Sequence, residues 1–161
     1  SDVFGASGSG TLRITGTGGS LVVNARTYNN AASGTYGQYI GGLVLGDGVH
    51  PGERQYLLHL SQSTSDSSGF RTNLGLVSAT PSQIVVNASF YSRTGALLGT
   101  KSYTLRQYES TQITKVFNTV TSGGVDDGYI VLSSDSPGAV FFAYASMIDN
   151  RSGDGVHIPA R

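Results

Sequence analysis

An all-β fold of the immunoglobulin- or fibronectin-like sandwich class is what this 161-residue sequence predicts, and three observations carry the expectation. Apolar and polar residues alternate along short stretches rich in Val, Ile, Thr, Tyr and Phe, the pattern of half-buried strands. No stretch holds an apolar period of 3.6 residues for three turns, so no amphipathic helix is expected. Clusters of Gly, Pro, Asn, Asp and Ser recur at roughly the 8–12-residue spacing that marks turns in small sandwiches. The Cys–Trp–Cys core of antibody domains is missing, because the chain contains neither Cys nor Trp.

Taken in order, residues 1–9 (SDVFGASGS) read as the end of one element and a turn. TLRIT (11–15) and SLVVNARTY (20–28) alternate around the glycines of 16–19 and predict a hairpin, with Leu21, Val23 and Ala25 on one face. Residues 29–37 form a polar loop, and Tyr39-Ile40 opens a short return strand. Gly and Pro punctuate residues 41–53 as a connector. RQYLLHLS (54–61) predicts a strand with Tyr56, Leu58 and Leu60 on one face, followed by the polar loop SQSTSDSSG (61–69). FRTNLGLVS (70–78) turns Leu74 and Leu76 inward, and QIVVNASFY (83–91) does the same with Ile84, Val86, Ala88 and Phe90. LLGTKSYTL (97–105) is the next strand, while YESTQITKVF (108–117) fits either a strand or a short helical turn. A loop over 123–128 leads into GYIVLSS and AVFFAYASMI, which read as a closing hairpin around a Ser-Asp-Ser-Pro-Gly turn.

An internal repeat overlies this order. Residues 10–40 and 128–160 share one layout of a short apolar run, a turn, a longer apolar run, a polar loop and a closing Ile. Leu12 and Ile14 match Ile130 and Leu132, Ala25 matches Ala145, Asn30 matches Asn150, and Ile40 matches Ile158. Val3-Phe4 stands ahead of the first copy as Val116-Phe117 stands ahead of the second. The expected organisation is therefore a C-terminal half-repeat over 1–60, a polar loop over 61–69 and a complete sandwich unit over 70–161. Half a sandwich carries bare strand edges. Its strands are expected to pack on the second unit or on a neighbouring subunit.

Composition narrows the function classes. Ten basic residues cancel ten acidic ones, so no electrostatic footprint points to nucleic acid or an anionic membrane. No apolar run approaches the ~20 residues that span a bilayer as a helix. The absence of Cys excludes a disulfide framework and thiolate metal sites. Low charge and a surface rich in Ser, Thr and Gly suggest an extracellular protein, and the opening Ser1 suggests a segment whose targeting sequence lies elsewhere.

No enzyme motif emerges. His50, His59 and His157 lack ligand spacing, and no Ser stands in a nucleophile elbow. The Gly-rich stretch at 16–19 precedes a strand, which rules out a phosphate loop. Asp126, Asp127, Asp149 and Asp154 lie in polar loops, where such residues pair as glycosidase acids, supply hard oxygen ligands for calcium or, most often, simply form turns. Sugar binding on a sandwich uses aromatic faces. Without Trp the candidates are Tyr28, Tyr36, Tyr39 and Tyr144. Asn87-Ala88-Ser89 and Asn150-Arg151-Ser152 fit the N-glycosylation pattern.

The segments RTYNNAASGTYGQYI, FRTNLGLV, SYTLRQYESTQITKVF and AYASMIDNRSGDGVHIPA resemble a tandem immunoglobulin-like β-sandwich repeat. That repeat belongs to large secreted or cell-surface proteins of acidobacteria-like environmental bacteria. The resemblance implies a unit near the C-terminus of a multidomain protein, ending at an Ile-Pro-Ala like Ile158-Pro159-Ala160, with no catalytic motif. Together these readings lead to a non-catalytic structural or adhesive protein with no required cofactor. Its expected partner is another copy or a neighbouring repeat, joined by strand pairing into a filament or array. A carbohydrate-binding module for a polysaccharide is the alternative.

Overall fold

The computed structural model describes Gly5 and residues 10–161 apart from Ser33. Ten strands are defined: β1 (Asn24–Ala31), β2 (Gly34–Gly41), β3 (Arg54–Gln62), β4 (Phe70–Ser78), β5 (Ile84–Tyr91), β6 (Leu97–Leu105), β7 (Ser110–Ile113), β8 (Val125–Ser133), β9 (Phe141–Asp149) and β10 (Gly155–Pro159). Short 3-10 turns occur at Leu45–Asp47 and Val116–Thr119. Eight strands form two antiparallel four-stranded sheets, ordered β10-β9-β4-β7 and β3-β8-β5-β6. β1 and β2 make a separate two-stranded sheet.

Alternation explains how the two sheets face each other. Along β5, Ile84, Val86, Ala88 and Phe90 are buried while Val85, Asn87, Ser89 and Tyr91 stay partly exposed. Leu74 and Leu76 of β4, Phe141 and Ala145 of β9, and Ile130 and Leu132 of β8 complete the same core. Each of the Leu, Ile, Val and Phe side chains contributes about 1.5–3 kcal/mol through burial, and the alanines less. Phe117, on the second 3-10 turn, meets Phe90 edge to face at 5.5 Å and plugs one end. Two buried hydroxyls are satisfied by backbone carbonyls: Thr72 donates to Ser61 and Ser134 to Val85, both at 2.7 Å.

One side of the sandwich is closed. The Tyr56 amide donates to the Arg161 carbonyl at 2.7 Å, and the Arg161 amide returns the bond at 3.0 Å, so the outer edge of β3 is occupied there. The opposite side ends on β6 and β7.

The expected all-β sandwich is present. An immunoglobulin constant domain orders its strands ABED and CFG. Here β9 pairs with β4 and β3 with β8, and the finer immunoglobulin-like assignment gains no support from that order.

Several sequence expectations need correction. The strand at 54–61, with Tyr56, Leu58 and Leu60 expected on one face, is the edge strand of the sheet β3-β8-β5-β6 and fully buries Leu57 and Leu60 instead. Its faces differ from the alternating reading because the register shifts between Leu57 and Leu60. His59 there takes a left-handed φ of 58°. This bulge turns Leu57 and Leu60 inward and leaves Tyr56 and Leu58 exposed. The expected hairpin of 11–15 with 20–28 is replaced by β1 with β2, and residues 10–23 belong to no strand. Residues 108–117 hold both alternatives, a short strand and then a 3-10 turn. Asp126 and Asp127 lie within β8 instead of a loop. Val3 and Phe4 lie outside the described residues.

Candidate functional site

The two copies of the repeat fold into hairpins of identical register. Ala25 pairs with Ile40 across β1 and β2, and Ala145 pairs with Ile158 across β9 and β10. These are the residues that the sequence repeat places in correspondence, so the likeness extends from composition to strand pairing.

Burial separates the copies. Ile130 and Leu132 are 0% exposed, whereas their counterparts Leu12 and Ile14 are 63% and 51% exposed. Phe141 and Ala145 are likewise 0% exposed, while Leu21 is 56% exposed and Ala25 is open. The cause is the neighbouring strands. β9 lies between β10 and β4, and β8 lies between β3 and β5. β1 has β2 on one side and, among the described residues, no strand on the other. One further bond, from the Gly42 amide to the Val23 carbonyl at 2.8 Å, extends the hairpin by a residue pair.

Polar contacts repeat the contrast. The Asn150 side-chain amide donates to the Ser65 and Ser68 carbonyls at 3.0 and 3.2 Å, and its oxygen accepts from Arg71 at 2.9 Å. Asn150 thereby clamps the Ser-rich loop ahead of β4, and both of its N–H groups are engaged, which argues against a glycan at that motif. Its counterpart Asn30 is exposed and accepts from Thr35 within its own hairpin at 3.0 Å.

The hairpin is seated on the sandwich through β2. Gln38 exchanges hydrogen bonds with the buried Ser146 hydroxyl, donating at 3.2 Å and accepting at 3.3 Å. β1, farther out, presents a bare edge of alternating N–H and C=O groups beside exposed apolar side chains, which is a template for strand pairing.

The four tyrosines singled out from sequence fall on different surfaces. Tyr28 sits opposite Gly37 and Tyr39 opposite Arg26, so both share the outward face of the hairpin at 64% and 65% exposure. Tyr36 pairs with Asn29 on the other face and is half-buried. Tyr144 lies on the outer face of β9, its ring over Gly75, where an added Cβ would come within 2.1 Å of it. The Tyr144 ring also meets His157 at 5.2 Å. Burial raises the Tyr144 hydroxyl above its ordinary pKa and lowers the His157 imidazole below its own.

Three of the four acidic candidates hold the structure around them. The Asp149 carboxylate accepts from the Ser152 and Arg151 amides at 3.1 and 2.6 Å. These bonds hold it below the usual carboxylate range, Ser152 first. Asp154 accepts from the Gly155 amide at 3.0 Å. Asp127, with φ of 54°, accepts from His59 Nδ1 at 2.8 Å across the β3 bulge. Among the described residues no three His, Cys, Asp or Glu side chains converge as a calcium or other metal site would require.

Sequence reasoning missed the Asn150 clamp, the His59–Asp127 contact and the stacked Tyr91–Tyr129 pair, whose rings lie 4.8 Å apart. The Asn30–Asn150 match was a usable signal for the first. The other two depend on a bulge and a cross-strand register. Against known proteins, the chain matches no family model, and no curated protein or solved structure matches it.

Proposed function

We propose that the chain is a non-catalytic structural or adhesive unit of an extracellular β-assembly, joined to its neighbour by strand pairing through residues 10–31. One observation carries the reading: the apolar positions that fill a core in the second copy of the repeat stand open in the first. A β-prone segment with a bare edge and an exposed apolar face is a liability in a solitary domain and an interface in an assembly. Head-to-tail use of such an edge gives an open array where the rotation between neighbours does not close, and a ring where it does. The low-charge, cysteine-free, Ser/Thr/Gly-rich composition supports an extracellular setting. Light scattering across a concentration series, with negative-stain microscopy, tests the proposal. A rising mass that Leu12→Asp with Leu21→Asp abolishes is expected, and a strictly monomeric particle at the highest concentration refutes self-assembly.

A second reading, binding of a neutral polysaccharide, is favoured by Tyr28 and Tyr39 sharing one exposed face. Retention on insoluble polysaccharide that Tyr28→Ala with Tyr39→Ala removes would support it. Retention that survives both substitutions eliminates this face.

A further inference from the structure

The described chain contains two hairpins of one kind, β1–β2 and β9–β10, but a single receiving half, the strands β3 to β7. β8 and β9 already fill that half. A second copy of the folded chain therefore brings no vacant receiving half. Resting on the strand-pairing reading above, we propose that the partner of residues 10–31 is a receiving half from another unit of the same repeat. Such a half carries the pattern of residues 54–119 with its own β8 and β9 positions unfilled.

The second copy specifies the contact. β9 pairs with β4 so that Ala145 faces Leu74, Ala143 faces Leu76 and Phe141 faces Ser78. The repeat offset between β1 and β9 is 120 residues, 145 − 25. The free edge of β1 thus takes an antiparallel strand of β4 pattern with Ala25 opposite the Leu74 equivalent, Val23 opposite that of Leu76 and Leu21 opposite that of Ser78. Leu12 and Ile14 cover the positions that face Ile130 and Leu132, namely Phe90 and Ala88 of β5. Asn30 grips the partner's Ser-rich loop as Asn150 grips the Ser65 and Ser68 carbonyls. The apolar face, the bare edge and the unspent amide of Asn30 all meet their counterparts in one placement.

The test is a fusion that supplies the receiving half. Residues 42–124 are placed ahead of the whole chain, and a control places residues 42–161 there, so that the added half brings its own β8–β10. Hydrogen exchange is followed in the added β4 segment and in residues 21–28. Slowing of both segments together by about tenfold or more in the first fusion is expected, with return to fast exchange on Leu21→Asp or Asn30→Ala. In the control the added unit is protected and residues 21–28 stay fast. An added half that stays fast in the first fusion while protected in the control overturns the inference. If the whole chain then still self-associates through residues 10–31, the assembly reading stands and its edge takes another strand. A protected fusion with a strictly monomeric chain retains the receiving half and removes self-assembly.

Discussion

Leu132 fills the core of the second copy of the repeat, whereas Leu12, the first copy's match to Ile130, stands open to solvent. Leu132 is 0% exposed between β3 and β5, and Leu12 is 63% exposed. Truncating Leu132 to Ala removes buried methyl groups and leaves a cavity in a close-packed interior, at about 2–5 kcal/mol. For a domain of this size each 1 kcal/mol shifts Tm by about 2–4 °C, so a loss of roughly 3 kcal/mol lowers Tm by about 6–12 °C. Leu12→Ala in the isolated chain removes side-chain surface that water already reaches, and stays within about 0.5 kcal/mol, or under roughly 2 °C. Calorimetry or urea unfolding of the two variants at low protein concentration reads the difference directly. Equal losses would refute the reasoning, because Leu12 would then lie in a core and the open face would not exist. A Leu12→Ala effect that grows with protein concentration would locate that core in the assembly.

Three further predictions follow from the packing around β9. Burial lowers His157 below the ordinary imidazole value of about 6.5, so the unfolded chain binds the extra proton first. Stability should be full above about pH 6.5 and fall as pH drops through the window beneath it. His157→Gln should flatten that fall in unfolding midpoints taken across the window; an unchanged slope would assign the effect to other groups. Gly75→Ala drives a Cβ into the Tyr144 ring and should destabilise by about 1–3 kcal/mol in urea. Tyr144→Ser combined with it should recover most of that loss, and additive losses would show that the ring is not the obstacle. Gln38→Ala removes the hydrogen bonds to Ser146, worth about 0.5–1.5 kcal/mol each. It should speed hydrogen exchange in residues 34–41 while 84–91 keeps its protection, and parallel loosening of both would contradict the independent seating of the hairpin.

What the sequence disclosed depended on whether a residue's surroundings are local. The inward faces of β4 and β5 follow from alternation alone, and Ile84, Val86, Ala88 and Phe90 are buried as that pattern requires. The sequence match of Ala25 to Ala145 and of Ile40 to Ile158 reappears as strand pairing in both copies, but GYIVLSS and AVFFAYASMI, which read as one hairpin, lie in different sheets as β8 and β9. β3 was misread because its alternation is interrupted by an αL residue that is not glycine: His59 shifts the register, and nothing at the level of side-chain pattern marks such a bulge. Residues 11–15 were misread as half of a hairpin for a different reason. Their pattern is that of a strand, but a strand exists only where a partner supplies its hydrogen bonds, and the described chain supplies none there. The candidate tyrosines scattered because proximity in sequence, as with Tyr36 and Tyr39, places side chains on opposite faces of β2 whenever their separation is odd.

The magnitudes indicate what kind of neighbour can use the open face. Burying Leu12, Ile14 and Leu21, each more than half exposed, would contribute roughly 1–1.5 kcal/mol apiece, or about 3–5 kcal/mol together. Edge hydrogen bonds along β1 add a net of about 0.5–1.5 kcal/mol each. Joining two free molecules loses an estimated 4–15 kcal/mol of translational and rotational freedom, which consumes most of that gain. Free copies, which bring no vacant receiving half and can meet only along the β1 edge, should therefore associate weakly and only at high concentration. A receiving half tethered nearby meets the same edge at an effective concentration in the millimolar range and avoids most of the loss. On these numbers the proposed partner would have to be held in the same assembly, where a covalent or lattice tether would convert a weak edge into a stable joint.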